Sequence, residues 1–171
     1  MVKMTAQWRP LYHADLPDVQ VLAAQIHPAY PEDMAVFAER LALCPAGCHG
    51  LDGGKKTLAG YLLSHPWHLR HPPRLNMLLH ALPPDPDCWY VHDIAIAPAL
   101  RGQGAATRAL ALLERAARRA GLRRIALMAT QQAVGFWRRQ GFTPVPAAME
   151  AAASYGDGAM PMSRAVPDMG S

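Results

Sequence analysis

The stretch from Ile94 to Leu113, IAIAPALRGQGAATRALALL, constrains the fold more than any other part of the chain. An apolar run ends at Pro98. A basic turn follows, Arg101-Gly102-Gln103-Gly104-Ala105-Ala106, and after Thr107 the Ala/Leu spacing becomes that of a helix. A strand leading through a glycine turn into a helix needs a sheet to join, so the chain reads as mixed α/β. Glycine and alanine let a ligand come close to the backbone. The first turn of a helix leaves its N–H groups without intrahelical partners, and the helix dipole makes that end positive. Such a turn suits an anion, a phosphate or pyrophosphate above all. Two familiar phosphate turns fit poorly. No Lys-Ser/Thr pair follows the second glycine, and Thr107 stands where a dinucleotide turn has its third glycine.

The remaining elements are legible from spacing. Trp8 to Tyr12 reads as an opening strand, and Asp15 as the N-cap of a helix through Gln25. Pro28 and Pro31 interrupt the pattern before a second helix, Glu32 to Leu43. Cys48 to Leu51 and Thr57 to Ser64 read as strands joined by Asp52-Gly53-Gly54-Lys55, a hairpin signal. His65 to Asp87, rich in Pro and His, reads as a long loop with one short element near Leu75 to His80. Then come a strand at Cys88 to Ala97, a helix at Ala105 to Ala120 closed by Gly121, and a strand at Arg124 to Met128. A short helix at Gln132 to Gln140 ends at Gly141, and strands at Phe142 to Val145 and Ala159 to Val166 complete the chain. No repeat and no linker divides the sequence, so residues 1–171 are expected to form one domain.

Composition narrows the partners. The net charge of +4 would suit nucleic acid, but much of the Arg surplus lies between Arg101 and Arg139, without interleaved aromatics. A small polyanionic cofactor accounts for that clustering, and no nucleic-acid partner is expected. No run approaches the ~20 apolar residues of a membrane span, and no leader-like segment opens the chain. A cytoplasmic protein without membrane contact is therefore expected. The three cysteines, Cys44, Cys48 and Cys88, are too sparse and odd in number for a disulfide framework. Cys44 and Cys48-His49 miss the haem-attachment spacing, and His65, His68, His71 and His80 lack paired spacing and carboxylates, so no metal is expected.

The turn and its flanks resemble the GNAT acetyltransferase superfamily. Arg101, Gly104 and Ala106 satisfy that family's Gln/Arg-x-x-Gly-x-Gly/Ala signature. Ile94-Ala95-Ile96-Ala97-Pro98 is similar to its cofactor strand, and Phe136-Trp137-Arg138-Arg139-Gln140-Gly141-Phe142 to its FYxxxGF segment. The match covers Tyr90 to Pro144. The resemblance implies a single-domain GNAT fold, with a mixed, mostly antiparallel sheet flanked by helices and a cofactor-binding core over residues 88–145. It implies acetyl-coenzyme A as the cofactor and transfer to an amine by direct attack in a ternary complex. Amides of Gln103, Gly104, Ala105, Ala106 and Thr107 would hold the pyrophosphate, and backbone of Ile94 and Ile96 would pair with the pantetheine arm. Ala95, Arg101 and Gly102 complete the expected cofactor-binding residues. Arg101 and Arg108 are candidates for phosphate contacts. A homodimer is common in the family.

Tyr90-Val91-His92-Asp93 carries the expected chemistry. Strand alternation would place Tyr90, His92 and Ile94 on one face, with Val91 and Asp93 on the other. An ammonium must lose a proton before it attacks, and an imidazole with a reference pKa near ~6.5 suits that work, so His92 is the expected base. The segment is similar to arylalkylamine N-acetyltransferases, where histidines on this strand relay the proton; Tyr90 replaces one of them. Asp93 is an ammonium anchor, an orienting partner, or a bonded residue of the reverse face. Trp137 stands where many members have a Tyr that protonates the departing thiolate, and an indole cannot do this. Tyr155 is the candidate replacement. Tyr30 and Glu32, with Trp67, Tyr90 and Asp93, are candidate acceptor-binding residues, and the carboxylates favour a small cationic amine. The alternatives are a protein N-terminus or lysine as acceptor, and a non-catalytic acyl-coenzyme A sensor.

Overall fold

The computed structural model describes residues 5–169. Seven strands form one sheet: β1 (Gln7–Pro10), β2 (Cys48–Asp52), β3 (Gly60–Trp67), β4 (Cys88–Ile96), β5 (Arg124–Ala129), β6 (Thr143–Pro144) and β7 (Met160–Ala165). Four helices flank it: α1 (Leu16–Ile26), α2 (Met34–Leu43), α3 (Ala105–Arg119) and α4 (Val134–Arg139). The sheet order is β1-β2-β3-β4-β5-β7-β6, antiparallel throughout except for β4 with β5. This is the mixed, mostly antiparallel sheet expected from the sequence. No helix among the described residues is long and apolar enough to cross a membrane.

The two faces of the sheet bury separate cores. Leu16, Val19 and Leu22 of α1 with Phe37 and Leu41 of α2 pack on Tyr61, Leu63 and Ala95. On the other face Ala109, Leu110 and Leu113 of α3 pack on Leu62, Val91 and Leu127. The α3 core residues recur at helical spacing, and Gly121 closes the helix with φ +71, the left-handed conformation that glycine tolerates.

Several boundaries differ from the spacing. Asp15 stands at the N-cap of α1, as expected, but its side chain makes no bond to that helix. Its carboxylate accepts the Tyr12 N–H at 2.8 Å and pairs with Arg9, capping the short 3-10 turn His13–Asp15 instead. β3 runs on through Trp67, so His65 is a fully buried strand residue and not part of a loop. Phe142 to Val145 yields only the two-residue β6, and the segment Pro146–Tyr155, unassigned from spacing, forms 3-10 turns. The loop from residue 68 to 87 contains no helix at Leu75 to His80 and is tied down by carboxylates. Glu39 accepts the N–H groups of Leu79 and His80, and Glu32 that of Asn76.

Two features position the site. β4 pairs with β5 only from Trp89 to Val91, after which the strands part and leave the Ile94–Ile96 edge open. Between Leu63 and Ser64 the β3–β4 register shifts, so that β4 carries one extra residue, His92, opposite an unbroken β3. Such a bulge inverts the alternation beyond it. Val91 and Ile94 therefore pack toward α3, while Tyr90 and Asp93 face the α1–α2 side. The expectation that Tyr90, His92 and Ile94 share a face is corrected by that one inserted residue.

Candidate active site

A cleft of about 1030 Å³ runs from the glycine turn, along the open β4 edge, to the loop between α1 and α2. At the turn, Gly102 and Gly104 adopt φ +79 and +81, and a side-chain carbon on Gly102 would meet no atom within 4 Å. The turn's backbone therefore faces open space. The first α3 bond runs from the Arg108 N–H to the Gly104 carbonyl at 3.0 Å, so the amides of Ala105, Ala106 and Thr107 precede the helix ladder. Arg101, Gly102, Gly104, Ala105, Ala106 and Thr107 all line the cleft. Gln103 does not: its side chain donates to the Ala99 carbonyl, and its own carbonyl accepts from Arg108. Arg108 also donates to the Ala6 carbonyl, so it braces the turn from behind rather than reaching toward a phosphate.

Just past β4, the Ala97 N–H donates to the carbonyl of Ala59, the residue before β3. By alternation the N–H and C=O groups of Ile94 and Ile96 point the opposite way, into the gap left by β5. Both residues and Ala95 line the cleft. An extended amide-bearing chain lying in that gap would meet a strand edge with unused backbone groups, which is how a peptide adds to a sheet. The Ile94 carbonyl already has a partner: His27 Nε2 donates to it at 3.0 Å.

His27 escaped the sequence reading. It is the C-cap of α1, with φ −121 and ψ 53, outside helical geometry. Pro28 disfavours the helical region at the residue before it, so the helix ends there and the imidazole swings over β4. A histidine directly before a helix-ending proline was the available signal. Its Nε2 lies 3.2 Å from Asp93 Oδ1, and the Tyr61 hydroxyl donates to Asp93 Oδ2 at 2.5 Å. Burial works against charge on His27, but the Asp93 carboxylate and the Ile94 carbonyl outweigh it and raise its pKa above 6.5. Burial likewise opposes charge on Asp93, yet the bonds from His27 and Tyr61, with the nearby His92, hold its carboxyl below the usual range. Of the three roles open to Asp93, orienting partner is the one its contacts fit.

His92 Nε2 donates to Glu32 Oε1 at 2.8 Å, and Glu32 Oε2 accepts the Asn76 N–H at 3.0 Å. The sequence pairing of Glu32 with the acceptor side is therefore joined to His92 and to the 68–87 loop through one carboxylate. The His92 side chain is 0% exposed and its Nδ1 is buried without a partner among the described residues. Tyr90 is equally sealed: its hydroxyl is buried and unpartnered, behind His65, with ring centroids 5.7 Å apart. Tyr90 therefore does not line the cleft, which corrects its placement as an acceptor contact.

Trp67 is also off the cleft. It packs against Cys88 and Tyr90, and its indole N–H donates to the His71 carbonyl. The extension of β3 carries it there. Leu75 closes this end of the cleft in its place. Tyr30 and Tyr155 form the opposite wall, ring centroids 6.1 Å apart. Burial raises the Tyr155 pKa, with Glu32 adding to it, so this phenol keeps its proton more firmly than a free one. Trp137 lies edge-on to Phe136 and Phe142 in the α3 core and reaches the cleft as an apolar wall.

A family model described as "Acetyltransferase (GNAT) family" matches residues 7–142. No curated protein matches the chain by sequence. Solved structures share its fold at low identity. Ard1 from Thermoplasma volcanium is 14% identical with a TM-score of 0.72, over 96% of this chain and 100% of that one. The GNAT-like decarboxylase GphF in complex with isobutyryl-CoA is 15% identical with a TM-score of 0.75, over 94% and 100%. The ribosomal-protein-S18-alanine N-acetyltransferase from Escherichia coli is 17% identical with a TM-score of 0.62, over 97% of both chains.

Proposed function

The chain belongs to the GNAT acetyltransferase family of acyltransferases, and on that premise we propose that it moves an acetyl group from acetyl-coenzyme A to the primary amine of a small cationic acceptor. The observation that carries the donor is the continuity of the cleft: one channel joins the glycine turn, the parted β4 edge and the carboxylate-lined end. The cofactor fits these residues. The free amides of Ala105, Ala106 and Thr107 suit a pyrophosphate, with Arg101 adding charge beside them. The Ile96 backbone and the Ile94 N–H suit the pantetheine amides. When bound, acetyl-coenzyme A supplies an activated thioester. The chain's part is to hold acceptor and donor together, which lowers the entropic barrier to direct attack.

The Glu32 carboxylate at this end supports a cationic acceptor, and Leu75, Tyr30 and Tyr155 bound its space. A protein N-terminus is the second reading, favoured by full-length likeness to a ribosomal-protein alanine N-acetyltransferase. The test follows free thiol release from acetyl-coenzyme A over polyamines, arylalkylamines, amino acids and short peptides. Turnover confined to small amines is the expected result. Turnover confined to peptides favours the second reading, and coenzyme A binding without turnover on any amine marks a sensor.

A further inference from the structure

Two imidazoles stand at the cleft, and they are not equivalent. The His92 side chain is 0% exposed, whereas that of His27 is 22% exposed and its partner Asp93 is 16% exposed. His27 Nε2 faces the Ile94 carbonyl and the Asp93 carboxylate, two oxygens that only accept. Nε2 therefore carries the hydrogen, and in the neutral ring Nδ1 carries the lone pair. Among the described residues Nδ1 has no hydrogen-bond partner. Tyr61 holds the second oxygen of Asp93, so the carboxylate is kept against His27. The ring lies on the open β4 edge, against the Ile94 carbonyl, which the reading above gives to the pantetheine arm that carries the thioester.

Resting on that reading, we propose that His27 is the catalytic proton shuttle: its Nδ1 takes the proton from the attacking amine and delivers it to the departing sulfur. An ammonium acceptor first leaves one proton in solvent. The amine's electron pair then forms the C–N bond, and the C–S bond breaks with its pair leaving on sulfur. The second proton passes from nitrogen to Nδ1 and from Nδ1 to that sulfur, so no further reactant is needed. Nitrogen and sulfur meet on the same carbon, and one imidazole serves both, as the histidine of a serine hydrolase serves nucleophile and leaving group. The groups that face His27 are consistent with this work. Asp93 from β4 raises its pKa, Tyr61 from β3 acts through Asp93, and Arg101 from the turn opposes weakly. The Asp93 carboxylate thus favours proton uptake by the ring. The shuttle also accounts for Trp137, since no acid is then required from α4.

The test compares wild type, His27→Gln, His92→Gln and Asp93→Asn, using the best amine from the acceptor screen and thiol release between about pH 6 and 9. His27→Gln is expected to lower kcat about a hundredfold, with the KM for acetyl-coenzyme A held within about twofold, and to abolish the acidic limb of the profile. Free imidazole is expected to restore part of the activity of His27→Ala. An acidic limb that survives in His27→Gln and disappears in His92→Gln overturns the proposal, as does a kcat within about threefold of wild type. A second readout needs no cofactor. Nitrogen-15 NMR of the imidazoles is expected to show the neutral His27 ring protonated at Nε2, with a lower pKa in Asp93→Asn. A neutral ring protonated at Nδ1 overturns the proposal. Circular dichroism melts of each variant separate loss of fold from loss of chemistry. Wild-type protein that turns over no amine overturns the transferase reading and the shuttle together; turnover with an unaffected His27→Gln overturns the shuttle alone.

Discussion

The end of the cleft beside the glycine turn is made from one continuous run of backbone, residues 94–107, while the opposite end is assembled from side chains of separate segments. At the turn, the proposed phosphate contacts rest on amides whose directions follow from two left-handed glycines and the start of α3. At the other end, His27 and Glu32 from the α1–α2 connection, Asp93 from β4 and Tyr155 from the Pro146–Tyr155 turns come together only in the fold. A backbone site tolerates changes in its side chains and fails when a dihedral angle is denied. A side-chain site fails when any one partner is lost, because the remaining buried polar groups lose their bonds.

Substitutions that strike one end should leave the other unchanged. The largest effect is expected from Gly104→Val. A β-branched residue at φ +81 is strained by ~1–3 kcal/mol, and its Cβ would lie 3.2 Å from the Arg108 guanidinium that braces the turn. The coenzyme A Kd, read by calorimetry, should rise about tenfold or more, with the acceptor KM unchanged. Equal losses at both ends would dissolve the distinction. Glu32→Ala comes next. It removes the acceptor for both the His92 Nε2–H and the Asn76 N–H, so the acceptor KM should rise about fivefold from a loss of ~1 kcal/mol. Amide exchange should quicken across residues 68–87 while coenzyme A affinity holds.

The titration of two histidines gives a smaller effect of opposite sign. Burial lowers the His65 pKa to about 3, so folding favours its neutral form. That contribution is complete above the unfolded value of 6.5 and is lost as pH falls from there toward 3. The His27 pKa is raised, so the contribution of its pair with Asp93 is complete below 6.5 and is lost as pH rises through the folded value. Thermal melts of His65→Gln should therefore lose less stability than wild type on acidification. The deficit of Asp93→Asn should shrink as pH rises above neutrality. The smallest effect is expected from Trp67→Phe. With its ring off the cleft, the KM for the acceptor should move by less than about twofold, and a larger shift would return Trp67 to the acceptor wall.

The turn was legible because its signal is local. Arg101, Gly104 and Ala106 act through backbone shape, and a strand before and a helix after complete the unit within one stretch. Trp137 was legible for the same reason, as a single position in a short segment. The β4 bulge was not. Nothing in Tyr90-Val91-His92-Asp93 announces that β3 lacks a residue opposite His92, since register is agreed between two strands. His27 was half legible: Pro28 predicts where α1 ends, but not what the last side chain reaches.

The sequence alone determined the order of elements, the glycine turn and the family, because these follow from periodicity and from which residues tolerate which dihedral angles. Tertiary structure decided how exposed each of the two cleft imidazoles is. One extra residue in β4 inverted the faces beyond Val91 and left His92 sealed against Glu32, while the end of α1 brought His27 to a carbonyl 67 residues away. Exposure and proton affinity belong to the packed arrangement, so the difference between the two imidazoles is not written in the spacing.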